Sequence, residues 1–333
     1  MRNKPKVWIA PSEADPQMSL LPEMEDKHVD VAVDRVKMAW KFHHHMNPDG
    51  EPMMLAFSGG KDSICLFFVC KKAAEDLGIP MEKMFNVVYN ITCMDPPEVV
   101  QFVRNVMKKE YPFITMRHPE RTMWQLIVDS KLPPSRESRY CCRLLKEVHN
   151  AKGAYTLTGV RRAESEKRGG RKGFETAAKY KEDRILLNDN GDDRRESEYC
   201  MQKRAYICNP IIDWTDEDVW NFIRRNNLPY CSLYDEGFFR VGCIGCPLAN
   251  DRDRVRDFER WPGYKRQFIR TFDKTVEAIR NSGKPWTAKF EMFKDGKDMF
   301  DWWMHDPEFW RRRQGAEIRE NELFSQEADD DEE

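Results

Sequence analysis

Between an apolar segment, Met54-Leu55-Ala56-Phe57, and a stretch with helical periodicity lies the loop Ser58-Gly59-Gly60-Lys61-Asp62-Ser63. Glycines in such a loop let backbone N–H groups approach phosphate oxygens, and the dipole of the following helix favours an anion at its amino terminus. Lys61 adds a positive charge, and Ser58 and Ser63 add hydroxyls. An ordinary strand-to-helix turn has no need of this composition. The loop lacks the longer Walker pattern that ends in Gly-Lys-Ser/Thr, which speaks against transfer of a γ-phosphoryl group.

The second chemical feature is thiol. Of ten cysteines, four fall in two close pairs, Cys141-Cys142 and Cys243-Ile244-Gly245-Cys246. Two such pairs suit a tetrahedral metal site, although vicinal cysteines need an unusual local geometry to face one centre. Spacing alone leaves an iron–sulfur cluster, Zn²⁺ and unliganded thiols open. Cys65, Cys70, Cys93 and Cys208 read as small buried hydrophobes. Cys231 has no clear assignment. Cys200 lies beside Tyr199 in a charged stretch, where it is either an exposed sulfur carrier or an idle surface thiol. His43-His44-His45 cannot share one helical face and reads as a solvated helix end.

The elements that position these groups follow from periodicity. Val29, Val33, Val36 and Trp40 give an amphipathic helix. Met54–Phe57, Phe85–Tyr89, Phe113–Met116 and Ala154–Gly159 read as strands, with helices from Ile64 to Leu77, Pro97 to Lys109, Thr122 to Ser130 and Arg143 to Asn150. Alternation of this kind implies a parallel sheet. A polar stretch, 161–204, interrupts it as a flexible insertion before Ala205–Ile211 resumes the pattern. Thr215 caps a further helix with Asp218 three residues on. The chain thus reads as an N-terminal helical extension over 1–50, a nucleotide-binding domain over 51–250, a helical region over 251–325 and an acidic tail over 326–333 with nothing to bury.

Composition sets the setting. With 333 residues, a net charge of -2, 40% hydrophobic and 34% charged residues, the chain can hold an enzyme-sized core. No run approaches the roughly eighteen apolar residues of a membrane span. The start of the chain has no signal-peptide core, so a cytoplasmic location with reduced thiols and no membrane is expected. Thr158-Gly159-Val160-Arg161-Arg162 and Arg168 begin where a parallel strand ends, the place where open sheets bind ligands and arginines reach phosphates. Basic residues outnumber acidic ones nine to five over 161–184 and seven to three over 252–270. In the latter, Phe258, Trp261, Tyr264 and Phe268 are spaced either for a nucleic-acid face or for a helix with an aromatic core.

The loop resembles the PP-loop signature Ser-Gly-Gly-x-Asp-Ser, whose family cleaves ATP between the α- and β-phosphates or binds adenylyl sulfates. Thr158-Gly159-Val160-Arg161 and Asn209-Pro210-Ile211-Ile212-Asp213-Trp214-Thr215 resemble further elements of the adenylyl-sulfate reductase group. The resemblance implies an α/β fold, a PP-loop (adenine nucleotide alpha hydrolase-like) parallel sheet with helices on both faces and a mostly helical C-terminal part. It implies that Ser58, Gly59, Gly60, Lys61, Asp62, Ser63, Gly159, Arg161, Arg162 and Arg168 hold ATP with Mg²⁺, and that Lys61, Asp62 and Arg161 act in catalysis. Within that family, Cys141, Cys142, Cys243 and Cys246 resemble a [4Fe–4S] ligand set.

Two departures qualify the resemblance. No cysteine follows Cys246 to attack a sulfate sulfur, and Asn90–Pro97 stands where the reductases have an Asp-Thr-Gly type turn. What is left resembles the ATP-pyrophosphatase component of DNA phosphorothioation systems. The implied activity is conversion of ATP to AMP and pyrophosphate coupled to sulfur transfer. The implied partners are DNA and a cysteine-desulfurase-type sulfur donor or other complex subunits. Alternatives are a reductase of adenylyl or phosphoadenylyl sulfate borrowing a thiol from Cys200 or a partner, a nucleotide-sensing subunit without catalysis, and a tRNA-thiolating enzyme.

Overall fold

A computed structural model describes residues 22–46, 51–146, 155–165, 168–176, 186–187, 206–282 and 293–305. The acidic tail, Cys200 and most of the 161–204 insertion lie outside the described residues.

The chain opens with α1 (Pro22–Met46), whose Ala32, Val33, Val36 and Ala39 are buried at helical spacing. Next come β1 (Met53–Phe57), α2 (Lys61–Leu77), α3 (Met81–Met84) and β2 (Phe85–Asn90). The helix expected over 97–109 is α4 (Pro97–Phe102) and α5 (Lys108–Glu110), joined by a π turn at Val103–Met107. Then follow β3 (Thr115–Arg117), α6 (Met123–Ser130), α7 (Tyr140–Leu145) and β4 (Tyr155–Leu157). The remaining elements are β5 (Phe174–Thr176), β6 (Leu186–Leu187), β7 (Tyr206–Cys208), α8 (Asp216–Arg225), α9 (Asp251–Arg260), α10 (Pro262–Arg280) and α11 (Gly296–Trp303).

One seven-stranded sheet runs in the order β3-β2-β1-β4-β7-β5-β6. Its first five strands are parallel, with Met53 opposite Phe85 and Leu55 opposite Leu157 across the central strand. The parallel α/β architecture read from the sequence is therefore present. β1 is almost wholly buried, as a strand covered on both faces must be. Because β2 leaves it on one side and β4 lies on the other, the loop after β1 sits where the strand order reverses, the usual ligand crevice of open sheets.

Two expectations are corrected. The segment read as a flexible insertion supplies β5, antiparallel to β7, and β6, antiparallel to β5, which together extend the sheet. The order has a local cause: Phe174 is buried, and the fully buried Glu175 accepts from the Lys172 amide and from Arg171. The side chain of Asn209, just after β7, also donates to the Lys172 carbonyl. The second correction concerns the helix near the vicinal cysteines, which starts at Tyr140 and so contains Cys141 and Cys142 instead of following them.

The chain divides into two compact units. One consists of residues 1–91, 95–118 and 147–242, with the sheet and α1. The other consists of residues 92–94, 119–146 and 243–333, so the stretch containing α6 and α7 groups with the C-terminal helices and not with the sheet. In this second unit Trp124 of α6 meets Phe268 of α10 edge-on at 5.2 Å between ring centroids, and Phe268 meets Trp303 of α11 at 4.7 Å. Phe258, Trp261 and Phe268 are buried there in an aromatic core, and Tyr264 is half-buried. Among the described residues no helix is long and apolar enough to cross a membrane.

Candidate functional site

The loop after β1 is built for close approach. Gly59 has φ +74°, and a Cβ there would lie 2.8 Å from Val103 Cγ2 and 3.0 Å from Val99 Cγ1. Backbone of that hand beside two branched side chains admits glycine only. Ser63 ties the loop together: its hydroxyl donates to the Gly60 carbonyl at 2.8 Å and accepts from the Ser58 amide at 3.2 Å. The Lys61 amide donates to the buried hydroxyl of Tyr234 at 2.9 Å, so the turn that starts α2 is fixed from 173 residues away. Val241 runs alongside, its carbonyl 3.9 Å from where a Gly60 Cβ would stand.

Behind the loop lies a quartet of charges. Lys61 Nζ contacts the Asp62 carboxylate at 3.2 Å and Asp216 Oδ1 at 3.1 Å. Arg161 donates through Nε to Asp62 Oδ1 at 2.6 Å, through one terminal nitrogen to Asp216 Oδ1 at 2.7 Å, and through the other to the Trp214 carbonyl at 3.2 Å. Two cations and two anions thus alternate, and the Arg161 side chain is only 1% exposed. Burial by itself would lower the Arg161 guanidinium, but Asp62 and Asp216 outweigh it and raise its pKa. Burial likewise pushes the Asp216 carboxyl up, and Lys61 and Arg161 overcome that and hold it below the usual carboxylate range.

Gly159 explains how β4 delivers Arg161. A Cβ at Gly159 would stand 3.0 Å from the Asp62 carbonyl oxygen, so the exit of β4 is pressed onto the first turn of α2. The structure therefore brings Ser58, Gly59, Gly60, Lys61, Asp62, Ser63, Gly159 and Arg161 together. It engages the other two expected arginines elsewhere: Arg162 pairs with Asp213 and donates to the Arg171 carbonyl, and Arg168 pairs with Glu164.

Asp216 and Tyr234 are the residues that sequence reasoning missed. Asp216 follows the Thr215 cap, whose hydroxyl accepts from the Asp218 amide while Asp218 caps back, and an acid at that position reads as a complement to the helix dipole. Phe239 also belongs here. The residue is 53% exposed, and Lys61 Nζ lies 5.8 Å from the ring centroid.

The four expected metal-ligating thiols all fall in the second unit and are all half-buried. Hydrogen bonding within the vicinal pair pushes Cys141 up and Cys142 down, and nearby Cys243 adds to the rise of Cys141. The Cys243–Cys246 turn is braced on three sides. The Ile244 amide donates to the Met94 carbonyl at 2.8 Å, the Gly245 amide donates to Asp257 at 2.8 Å, and Arg136 donates to the Pro247 and Ala249 carbonyls. Burial raises the Asp257 carboxyl to about 6. Even so, among the described residues no three cysteine, histidine, aspartate or glutamate side chains converge as a metal site. The donor chemistry of four thiols fits a thiolate-bound metal. His43, the first of the three histidines, is buried against the Glu51 carbonyl.

The model of the phosphoadenosine phosphosulfate reductase domain matches residues 52–249. The chain belongs to that family. The matched reductase domain contains the loop, the charge quartet, Tyr234 and all four paired cysteines. Among relatives, adenosine 5'-phosphosulfate reductase of Geobacillus kaustophilus is 27% identical over 68% of this chain and 84% of its own length. Two uncharacterised proteins of Methanocaldococcus jannaschii are 28% and 26% identical over 68% and 72% of this chain. The chain spans about half the length of these two, 47% and 45%. Among solved structures, phosphoadenylyl-sulfate reductase of Candida auris aligns with a TM-score of 0.39 and 15% identity over 68% of this chain and 96% of its own. Candida glabrata FMN adenylyltransferase, solved with FMN and an ATP analogue, aligns with a TM-score of 0.42 and 14% identity over 68% of each chain. Likeness at that level carries no functional argument.

Proposed function

We propose that this member of the family uses ATP as its nucleotide, transferring the adenylyl group to an acceptor oxygen with release of pyrophosphate, in service of sulfur transfer to nucleic acid and above all to the DNA backbone. The observation that carries the reading is the pair of carboxylates, Asp62 and Asp216, set among the cations beside the phosphate loop. A site for a bare sulfonucleotide gains nothing from two carboxylates near its anion. A site for a metal–triphosphate complex needs hard oxygen ligands in that place.

Asp62 and Asp216 would hold Mg²⁺, which when bound offsets the charge of the departing pyrophosphate. The loop amides and the Ser58 and Ser63 hydroxyls bind phosphate oxygens. Lys61 and Arg161 exchange carboxylate partners for phosphate ones and stabilise charge that grows as the bond breaks. The acceptor oxygen forms a bond to the α-phosphorus, and the bridging α–β oxygen leaves with its electron pair in pyrophosphate. The outer sulfur of a desulfurase-type persulfide then attacks the adenylated phosphorus and displaces AMP, and a second thiol cleaves the resulting P–S–S–Cys adduct, leaving the phosphorothioate and a disulfide. Cys141, Cys142, Cys243 and Cys246 would hold a [4Fe–4S] cluster, with Zn²⁺ as the other metal that the donor set accepts; the cluster supplies a redox or sulfide-binding centre.

The test measures pyrophosphate from ATP and Mg²⁺, with and without DNA, on anaerobically purified protein whose iron and sulfide are assayed. Expected are DNA-stimulated release and its loss in Lys61→Ala. Sulfite release from adenylyl sulfate with an added thiol, without pyrophosphate from ATP, would overturn the reading in favour of the chemistry for which the Geobacillus relative is named. Iron-free, sulfide-free protein would remove the cluster.

A further inference from the structure

We infer that Arg254 is the buried counter-cation of the cysteine centre, placed to offset the excess negative charge of a metal held by four thiolates. The inference rests on the reading of Cys141, Cys142, Cys243 and Cys246 as metal ligands and adds a residue outside that set.

Arginine is almost never fully buried unless an anion accompanies it. Arg254 of α9 is 2% exposed, and its ion-pair partner among the described residues is Asp251, 3.9 Å away and 63% exposed. One terminal nitrogen donates to the Trp303 carbonyl at 3.0 Å, the guanidinium lies 4.3 Å from the Trp303 ring centroid, and the buried Nε–H meets no acceptor among the described residues. A carbonyl and an aromatic face do not cancel a full charge. Burial pushes the guanidinium down to about 10, against Asp251, Cys246 and Asp257, which favour its charged form, so it stays protonated at neutral pH. A cation so placed is strongly destabilising unless an anion comes with it.

The helix that carries Arg254 points to that anion. Asp257 and Phe258, three and four residues on and so on the same face, press on the cysteine turn. Asp257 accepts the Gly245 amide at 2.8 Å, and the Phe258 ring leaves no room for a Cβ at Gly245. A second arginine comes from the side of the other pair. Arg136, five residues before Cys141, donates to the Pro247 and Ala249 carbonyls just after Cys246, and its charge opposes that of Arg254. Two cations gathered around one turn are stable together only about a negative centre. Four thiolates around Zn²⁺ or around a [4Fe–4S]²⁺ core leave two negative charges in excess, so the same complement serves either metal. Arg254 acts on the centre through its charge and touches no reacting atom.

Three variants separate charge from packing. Arg254→Gln keeps an N–H for the Trp303 carbonyl and loses the charge. Arg254→Lys keeps the charge and loses the planar stack on Trp303. Arg254→Met, neutral and suited to an apolar place, is run beside them so that the result does not hang on one substitution folding. The full chain is purified without oxygen, and its cluster potential is measured by redox titration followed by electron paramagnetic resonance. A neighbouring cation favours the added electron, and at an effective dielectric of about 20 a unit charge roughly 10 Å away changes an equilibrium about tenfold. The neutral variants are therefore expected to lower the potential by about 59 mV, the one-electron equivalent of tenfold, with Arg254→Lys near wild type. Loaded with iron or Zn²⁺, the neutral variants melt below wild type; after a chelator removes the metal the order reverses, because an unpaired buried cation has been taken away. An unchanged potential, or a melting point below wild type with and without metal alike, reduces Arg254 to a packing residue and overturns the inference while the cluster stands. A wild type that binds Zn²⁺ but assembles no cluster overturns the cluster, and the melting comparison then upholds or overturns the counter-cation. A wild type that holds neither metal overturns both.

Discussion

Replacing Asp216 by asparagine tests the charge quartet at its least legible member. The change keeps size and shape but removes a carboxylate to which Lys61 and Arg161 both donate through the same oxygen, at 3.1 and 2.7 Å. Breaking a buried pair by removing one partner costs about 3–5 kcal/mol, because the remaining charge is left in a poor dielectric. Here Arg161 is 1% exposed, but the Asp216 side chain is 39% exposed and Asp62 still serves both cations. Solvent screening and the surviving partner bring the expected cost to about 1–2 kcal/mol, a melting point lower by several degrees. The pH dependence carries the stronger test. Lys61 and Arg161 hold the folded-state pKa of Asp216 below its unfolded value. Its contribution is therefore complete above the ordinary carboxylate range near pH 4 and is lost as the pH falls through the lower, folded value. Thermal melts from pH 7 to pH 2.5 should show wild type above Asp216→Asn by a constant margin down to about pH 4 and convergence below it. Equal melting points at pH 7, or a gap that persists at the acid end, would refute the reasoning.

Other perturbations follow from the same geometry. Gly59→Ala forces a Cβ into a left-handed backbone against Val99 and Val103, and should cost about 2–4 kcal/mol in chemical denaturation while abolishing tripolyphosphate binding. Tyr234→Phe strips the Lys61 amide of its acceptor in a buried place; a loss of about 1–3 kcal/mol is expected, seen as faster amide exchange at the start of α2. Gly245→Ala would drive its Cβ to within 2.4 Å of Phe258 Cζ at φ +67°, and should lower bound iron per chain in anaerobically purified protein as well as stability.

Much of the site could be read from local pattern because local physics fixes it. The glycine loop, the buried strand before it and the Thr215–Asp218 capping box each announce themselves within a few residues. What escaped depends on distance along the chain. Nothing near Tyr234 says that its hydroxyl reaches Lys61, and nothing near Asp216 distinguishes a partner of Arg161 from a complement to a helix dipole. The arginines show the same limit from the other side. The sequence offers all three for nucleotide binding, and only packing on α2 sends Arg161 inward while Asp213 and Glu164 hold Arg162 and Arg168. The strands β5 and β6 were hidden because a segment this polar gains its order from partners such as Asn209 and not from periodicity. The helical start at Tyr140 was missed because Cys-Cys carries no capping signal.

The alternating charges behind the loop also shape how fast a nucleotide arrives. Lys61 and Arg161 are cancelled at rest by Asp62 and Asp216, so the quartet presents no net field beyond its own dimensions. Long-range steering, which draws anions into most phosphate sites and fades as salt is added, is absent from this one's inner wall. Discrimination falls on the departure rate, since a visitor is retained only if it can take over the partnerships the four side chains already have.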